Sequence, residues 1–295
     1  NLDKFEKKIN CETLLRPEKN NIIKQKNIRL KVQKFKHKLN IKYKTIDITF
    51  NLNKGLTLEQ YTDNSISINS IIGTLKHGYF DDIRAEADYY SGHLIKERYG
   101  DHKVTDLVPV KEKVITKGNE LIISGEINTL YGLVEKKWII NPIKKYILLE
   151  YKFNWVKMDK GSLRLGYLTL NPESFNFENV YFETHNGGDI IEKYKINRKN
   201  GFDHGASVSN LVSANSGFGM TEGILIIADN NIQINITTVK SESASIGYFA
   251  NNKIGNKNLM RAYFSCMEND DTSRGKYSPP KNIAFKIEFI KKIHA

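Results

Sequence analysis

The chain is 295 residues long, with 40% hydrophobic and 26% charged residues and a formal net charge of +12. That length carries one large β domain or two ordinary ones, and the composition is that of a globular protein with a sizeable core, not of a disordered tail. No apolar run approaches the length a helix needs to span a bilayer, which excludes a helical transmembrane segment.

The chain starts at Asn1 without a methionine or a signal peptide, and is expected to be a processed product or a piece of a longer protein. Two cysteines, Cys11 and Cys266, cannot build a framework of bridges and fit a reducing compartment, so a cytoplasmic location is expected. The excess of lysine invites a nucleic-acid reading. Against it, the lysines are scattered, and no zinc-finger, helix-turn-helix or RRM signature accompanies the one concentrated tract, Lys24 to Lys44. No specific nucleic-acid partner is expected; association with anionic surfaces, acidic polysaccharide or lipid headgroups among them, stays open.

In chain order, residues 1–44 read as a basic arm or linker: Leu2, Phe5 and Ile9 have a helical period, Pro17 interrupts it, and the lysine tract that follows has mixed periodicity. Residues 45–295 read as one β domain. Ile46, Ile48 and Phe50 share one face of a first strand. Further strands are predicted at Glu120 to Ile127, Lys136 to Ile140, Tyr146 to Trp155, Leu163 to Leu170, Val180 to Thr184, Gly223 to Ala228, Asn231 to Thr237, Ala244 to Ala250, Leu259 to Cys266 and Ile283 to Phe289. In the last, Ile283, Phe285, Ile287 and Phe289 alternate with Ala284, Lys286 and Glu288, the pattern of a sheet with one wet face. So many strands without helical alternation must stack to bury their apolar faces, which predicts an all-β, large antiparallel sandwich.

Three polar clusters interrupt the strands. The first, from His77 to His93, holds Asp81, Asp82, Arg84, Glu86, Asp88, Tyr89 and Tyr90, with glycines at 73, 78 and 92 that let the backbone turn. Such a group suits a carbohydrate, whose hydroxyls need paired donors and acceptors; it equally suits a salt-bridged loop at the sandwich edge. The second, Glu183-Thr184-His185-Asn186-Gly187-Gly188-Asp189, is a hairpin signal that sets Glu183 and His185 at the end of one strand and Asp189 at the start of the next. Here too His185 and Asp189 have a plainer reading, as groups that only hydrogen-bond the loop. The third joins His204, Glu222, Arg261 and the run Glu268 to Asp271, whose carboxylates either pair with Arg261 and Arg274 or accept from a sugar. Calcium-loop spacing is missing, and the singly placed His77, His93, His185 and His204 lack local metal spacing, so neither a metal nor a cofactor is expected. Walker, dinucleotide-binding, serine-elbow and His-Glu-x-x-His motifs are absent as well.

The ordered blocks GTLKHGYFDDI, ADYYSGH, LRLGYLTLNPESF, FETHNGG, HGASVSN, TEG and FSCMENDDTSR, with tryptophan-bearing strands between them, lie within a stretch of residues 45–293. Their series resembles the β-supersandwich domain, of galactose mutarotase-like fold, found at the carboxyl side of some glycoside hydrolases acting on α-glucans or related polysaccharides. The resemblance implies a carbohydrate-recognising accessory domain, with a separate catalytic domain or subunit as a partner. It also implies an alternative, a mutarotase-like enzyme with a histidine acid (His185 or His204) and a glutamate base (Glu222 or Glu268). A third class is a structural or protein-interaction β domain. For the first reading the expected sugar-binding residues are His77, Asp81, Tyr89, Tyr90, His93, Glu183, His185, Arg261 and Asp271, on the concave side of the larger sheet.

Overall fold

The computed structural model describes residues 30–73, 90–97, 103–187, 190–197, 201–203, 217–220, 223–239, 245–254, 257–269 and 278–292. Its strands are β1 (Lys31–Phe35), β2 (Lys38–Tyr43), β3 (Ile46–Asn51), β4 (Thr57–Asp63), β5 (Ile72–Gly73), β6 (Ile95–Glu97), β7 (Val104–Thr105), β8 (Lys113–Lys117), β9 (Glu120–Thr129), β10 (Gly132–Asn141) and β11 (Tyr146–Trp155). They continue as β12 (Gly161–Leu170), β13 (Tyr181–Thr184), β14 (Glu192–Asn197), β15 (Gly201–Asp203), β16 (Gly217–Met220), β17 (Ile224–Ala228), β18 (Ile232–Thr238), β19 (Ile246–Ile254), β20 (Lys257–Asn269) and β21 (Asn282–Lys291). Among the described residues the only helical turn is a 3-10 turn at Pro172–Ser174, capped by the Asn171 side chain.

The strands form two antiparallel sheets. The larger has eleven strands in the order β1-β2-β3-β4-β5-β12-β20-β19-β16, with β6 and β7 attached beside β12. The other has ten, in the order β15-β14-β13-β17-β18-β21-β11-β10-β9-β8. Alternation decides which side chains meet between them. Phe50 and Trp138 approach at 5.4 Å between ring centroids, Tyr61 stacks on Phe289 at 3.8 Å, Phe264 on Phe285 at 4.5 Å, and Phe182 meets Phe249 at 5.5 Å. Each such side chain, fully buried, contributes about 1.5–3 kcal/mol, and this shared core is what holds the sheets face to face.

The sandwich begins earlier than the lysine tract implied. β2 pairs along its length with β3, and Leu39 and Ile41 are buried in the core. Residues 31–43 are therefore part of the larger sheet, so the boundary expected at residue 44 falls inside it; residues 1–29 lie outside the described set. The lysines of β2 alternate with its apolar residues, so high charge and a buried face coexist in one strand. The expected hairpin after Thr184 is present as β13–β14, paired from Thr184↔Glu192, and Asp189 falls outside the described residues.

Polar side chains of the ten-stranded sheet cross the core and hold both the segment that precedes β6 and the connection between β3 and β4. Tyr151 Oη donates to the Gly92 carbonyl at 2.9 Å, and Trp138 Nε1 donates to the Leu56 carbonyl at 2.9 Å. Lys136 Nζ donates to the Gly55 carbonyl at 2.7 Å and forms an ion pair with Asp106, whose Oδ1 accepts from the Leu94 N–H at 3.0 Å. Lys136 and Asp106 are both fully buried; burial pushes the carboxyl up and the ammonium down, and their mutual attraction opposes both shifts. Gly92 has φ +78, and a Cβ there would come within 2.1 Å of the Trp138 ring, so only glycine lets the chain pass so close to the indole.

Candidate functional site

The loop anchored at Gly92 delivers His93. Its ring Nδ1 hydrogen-bonds the Tyr90 carbonyl, and since a carbonyl only accepts, the proton sits on Nδ1. His93 is buried, and its ring stacks on Tyr167 at 4.4 Å with an interplanar angle of 15°. Tyr167 stacks in turn on Tyr263 at 4.8 Å, and Tyr263 lies beside Tyr248 at 4.9 Å. The row passes from the buried His93 and Tyr167 to the half-buried Tyr263 and Tyr248.

Strand register produces this row. On β20 the core-facing Ala262 and Phe264 alternate with Arg261, Tyr263 and Ser265, which point away from the other sheet. Tyr248 of β19 is the direct cross-strand partner of Tyr263. β12 would put Tyr167 out of step, but its register shifts between Leu165 and Leu168. Gly166, at φ +64, packs against the Phe285 ring inside this bulge, leaving Leu165 and Leu168 in the core and Tyr167 facing outward. The rings then stand at strand spacing and cover one another's faces, so a ligand reaches mainly their edges and hydroxyls.

Arg164 and Glu268 border the row. Arg164 Nε and Nη2 donate to Glu268 Oε1 and Oε2 at 2.7 and 3.0 Å, and Ser265 Oγ donates to Oε1 at 2.7 Å. The Arg164 guanidinium also lies over the Tyr263 ring, 5.7 Å from its centroid. Partial burial pushes the Glu268 carboxyl up, but the hydrogen bonds from Arg164 and Ser265 and the Arg164 charge outweigh it and hold the group below the usual carboxylate range. Burial pushes the Tyr263 phenol up to about 12, against the charges of Arg164 and Arg261. At neutral pH this face thus presents a protonated phenol, an ionised carboxylate and guanidinium donors.

Of the residues singled out in the sequence, the structure brings His93, Arg261 and Glu268 to this one face, joined through Tyr167 and Tyr263. Tyr90 stands beside His93, with Lys54 Nζ over its ring at 5.5 Å. Glu268 pairs with Arg164 of β12, a partner not among the two expected from the sequence, Arg261 and Arg274, of which Arg274 lies outside the described residues; the Arg164↔Ser265 register sets those side chains together. Glu183 and His185 go elsewhere. Glu183 lies on β13 of the ten-stranded sheet, 3.5 Å from Lys193, and His185 follows it. Near His185, Glu192 Oε2 accepts from Tyr194 Oη at 2.8 Å and from Asn186 Nδ2 at 2.9 Å, and these bonds, with the His185 charge, lower its carboxyl. His77, Asp81, Tyr89, His204, Glu222 and Asp271 lie outside the described residues. Among the described residues no three His, Cys, Asp or Glu side chains cluster as metal ligands would, and no helix is long and apolar enough to cross a membrane.

Arg164, Tyr167, Tyr248, Tyr263 and Ser265 escaped the sequence reading. The alternation Arg261-Tyr263-Ser265 was visible, but which strands flank it was not.

No protein-family model and no curated protein matches the sequence. Among solved structures, the chain is similar to a galactose mutarotase-like protein from Clostridium acetobutylicum, with a TM-score of 0.54 at 10% identity over 90% of this chain and 99% of that one. It is similar to a galactose mutarotase-like protein from Lactobacillus casei to the same TM-score of 0.54, at 7% identity over 86% of this chain and 100% of that one. At such identities the likeness is one of architecture. The chain has the all-β, galactose mutarotase-like sandwich fold.

Proposed function

We propose that this chain is a carbohydrate-recognising β domain, acting beside a separate catalytic domain or subunit, and that it binds an oligosaccharide or polysaccharide on the outer face of the eleven-stranded sheet. The observation that carries the reading is the row His93-Tyr167-Tyr263-Tyr248 bordered by the Arg164–Glu268 fork. A sugar hydroxyl both donates and accepts, and this face offers phenols that do both, a carboxylate that accepts and guanidinium groups that donate. The tyrosine edges supply apolar contact between these polar groups.

The state of Glu268 argues against that residue as the base of a mutarotase-like enzyme. Both of its oxygens are engaged by Arg164, and its carboxyl is held below the usual range, which makes it a poor acceptor of a substrate proton near neutral pH. A glycan-binding array run beside a polarimetric assay of anomer interconversion separates recognition from catalysis. The expected result is retention of a glycan with no acceleration over the uncatalysed rate. Acceleration that disappears in Glu268→Gln would establish the enzyme instead.

A further inference from the structure

A second polar feature lies on the ten-stranded sheet, remote in the strand order from the tyrosine row. Lys193 Nζ sits 3.4 Å from the centroid of the Tyr181 ring. Lys292 Nζ lies 4.9 Å from the same centroid and donates to Tyr181 Oη at 2.6 Å. Lys195 is the direct cross-strand partner of Tyr181. Glu178, Asn179, Val180, Tyr181, Lys193 and Lys195 line an open depression of about 470 Å³. Glu183 answers Lys193 at 3.5 Å, while the Lys195 side chain is exposed and has no ion-pair or hydrogen-bond partner among the described residues.

Lys193 and Lys292 bring two ammonium groups against one phenol, with Lys195 directly across the strand from it; these like charges repel each other, and the cation–ring attraction that holds Lys193 and Lys292 is weak at exposed sites. An anion seated between them removes that repulsion. A lysine ammonium is a point charge that meets a carboxylate oxygen without needing the two-pronged geometry of an arginine fork. The Tyr181 ring is already engaged by two ammonium groups, so it offers no platform for a stacked base, which argues against single-stranded nucleic acid.

We propose that the Tyr181-Lys193-Lys195-Lys292 cluster is a binding site for the carboxylate of an acidic sugar, a uronic-acid unit of a saccharide; the saccharide part of this rests on the carbohydrate reading above. Lys195 and Lys292 contact the carboxylate, and Tyr181 positions Lys292 through its hydroxyl.

Isothermal titration of the full chain with an oligogalacturonate, and separately with a neutral malto-oligosaccharide of equal length, tests this. The oligogalacturonate is expected to bind, to weaken about fivefold or more in Lys195→Gln and in Lys292→Gln, and to weaken with added salt, as a charge contact does. Neither substitution is expected to change binding of the neutral saccharide, which depends on Tyr263 if the first reading holds. Oligogalacturonate affinity unchanged in both lysine variants overturns the proposal. So does displacement by inorganic sulfate at equal concentration, which reduces the cluster to a general oxyanion site. Neutral binding without acidic binding ends this inference alone; binding of neither saccharide ends both readings.

Discussion

Arg164 and Glu268, 104 residues apart in the sequence, meet in a two-pronged pair at 2.7 and 3.0 Å on neighbouring strands of the larger sheet. The fork fixes the guanidinium over the Tyr263 ring and keeps Glu268 ionised. Because both side chains are about a third to a half exposed, the pair is expected to matter more for recognition than for stability. Glu268→Gln should lower unfolding stability by no more than about 1 kcal/mol in a denaturant titration. Its effect on glycan affinity should be larger, because the fork that sets the Arg164 donors is lost. Equal loss in both readouts would make the pair structural.

The buried pair Lys136–Asp106 behaves in the opposite way. Lys136→Met leaves the Asp106 carboxylate uncompensated in the core and is expected to cost about 3–5 kcal/mol. Adding Asp106→Asn, which retains an acceptor for the Leu94 N–H, should recover most of that loss. Chemical denaturation of the two single variants and the double variant measures the coupling; additive losses would contradict the account.

Gly166 links packing to the candidate site. A Cβ there would lie 2.9 Å from the Phe285 ring, and φ is +64, so Gly166→Ala must shift either the bulge or the ring. A loss of about 1–3 kcal/mol is expected. The variant should also perturb Tyr167, visible as altered aromatic circular dichroism with strand content retained. Unchanged stability would mean the bulge carries no constraint.

Acid should unfold the protein through its depressed carboxylates. Burial pushes Asp63 up, yet Lys145 Nζ at 2.8 Å and hydrogen bonds from Ser65 and Thr45 bring it below its ordinary value; Glu112, Glu192 and Glu268 are lowered too. A carboxyl that is lower in the folded than in the unfolded state contributes stability above the unfolded value, and loses it as pH falls through the folded one. The melting temperature is therefore expected to decline below about pH 4, where unfolded carboxyls take up protons. Asp63→Asn should flatten that decline in a pH series of thermal melts. A melting temperature that rises on acidification would contradict the sign.

Much of the fold was legible because alternation survives composition. The strand from Ile283 to Phe289 reads directly as one buried and one wet face, and β21 has that pattern except at Ala284, which is buried. Leu39 and Ile41 were hidden by the lysines around them, although KLNIKY alternates just as well. The candidate site was legible only in pieces. Arg261 and Glu268 stood out as charges, but the stack that joins them to His93 depends on which strands are neighbours and on a bulge at Gly166, and sequence spacing carries neither. Deleting residues 1–44 tests the corrected boundary. Loss of Leu39 and Ile41 should strip β3 of one of its two partner strands and lower the melting temperature sharply, whereas a true arm would leave it unchanged.

The central claim is that the tyrosine row binds carbohydrate, and Tyr263→Phe tests it with the least disturbance, since it removes one hydroxyl and keeps the stacked ring. The measurement is the affinity of wild type and variant for the glycan most strongly retained on an array, by isothermal titration. The account predicts binding by the wild type and a loss of about three- to tenfold in the variant, the range of one hydrogen bond, with unfolding stability unchanged. Equal affinity in the two proteins, or no glycan retained by the wild type, would contradict it.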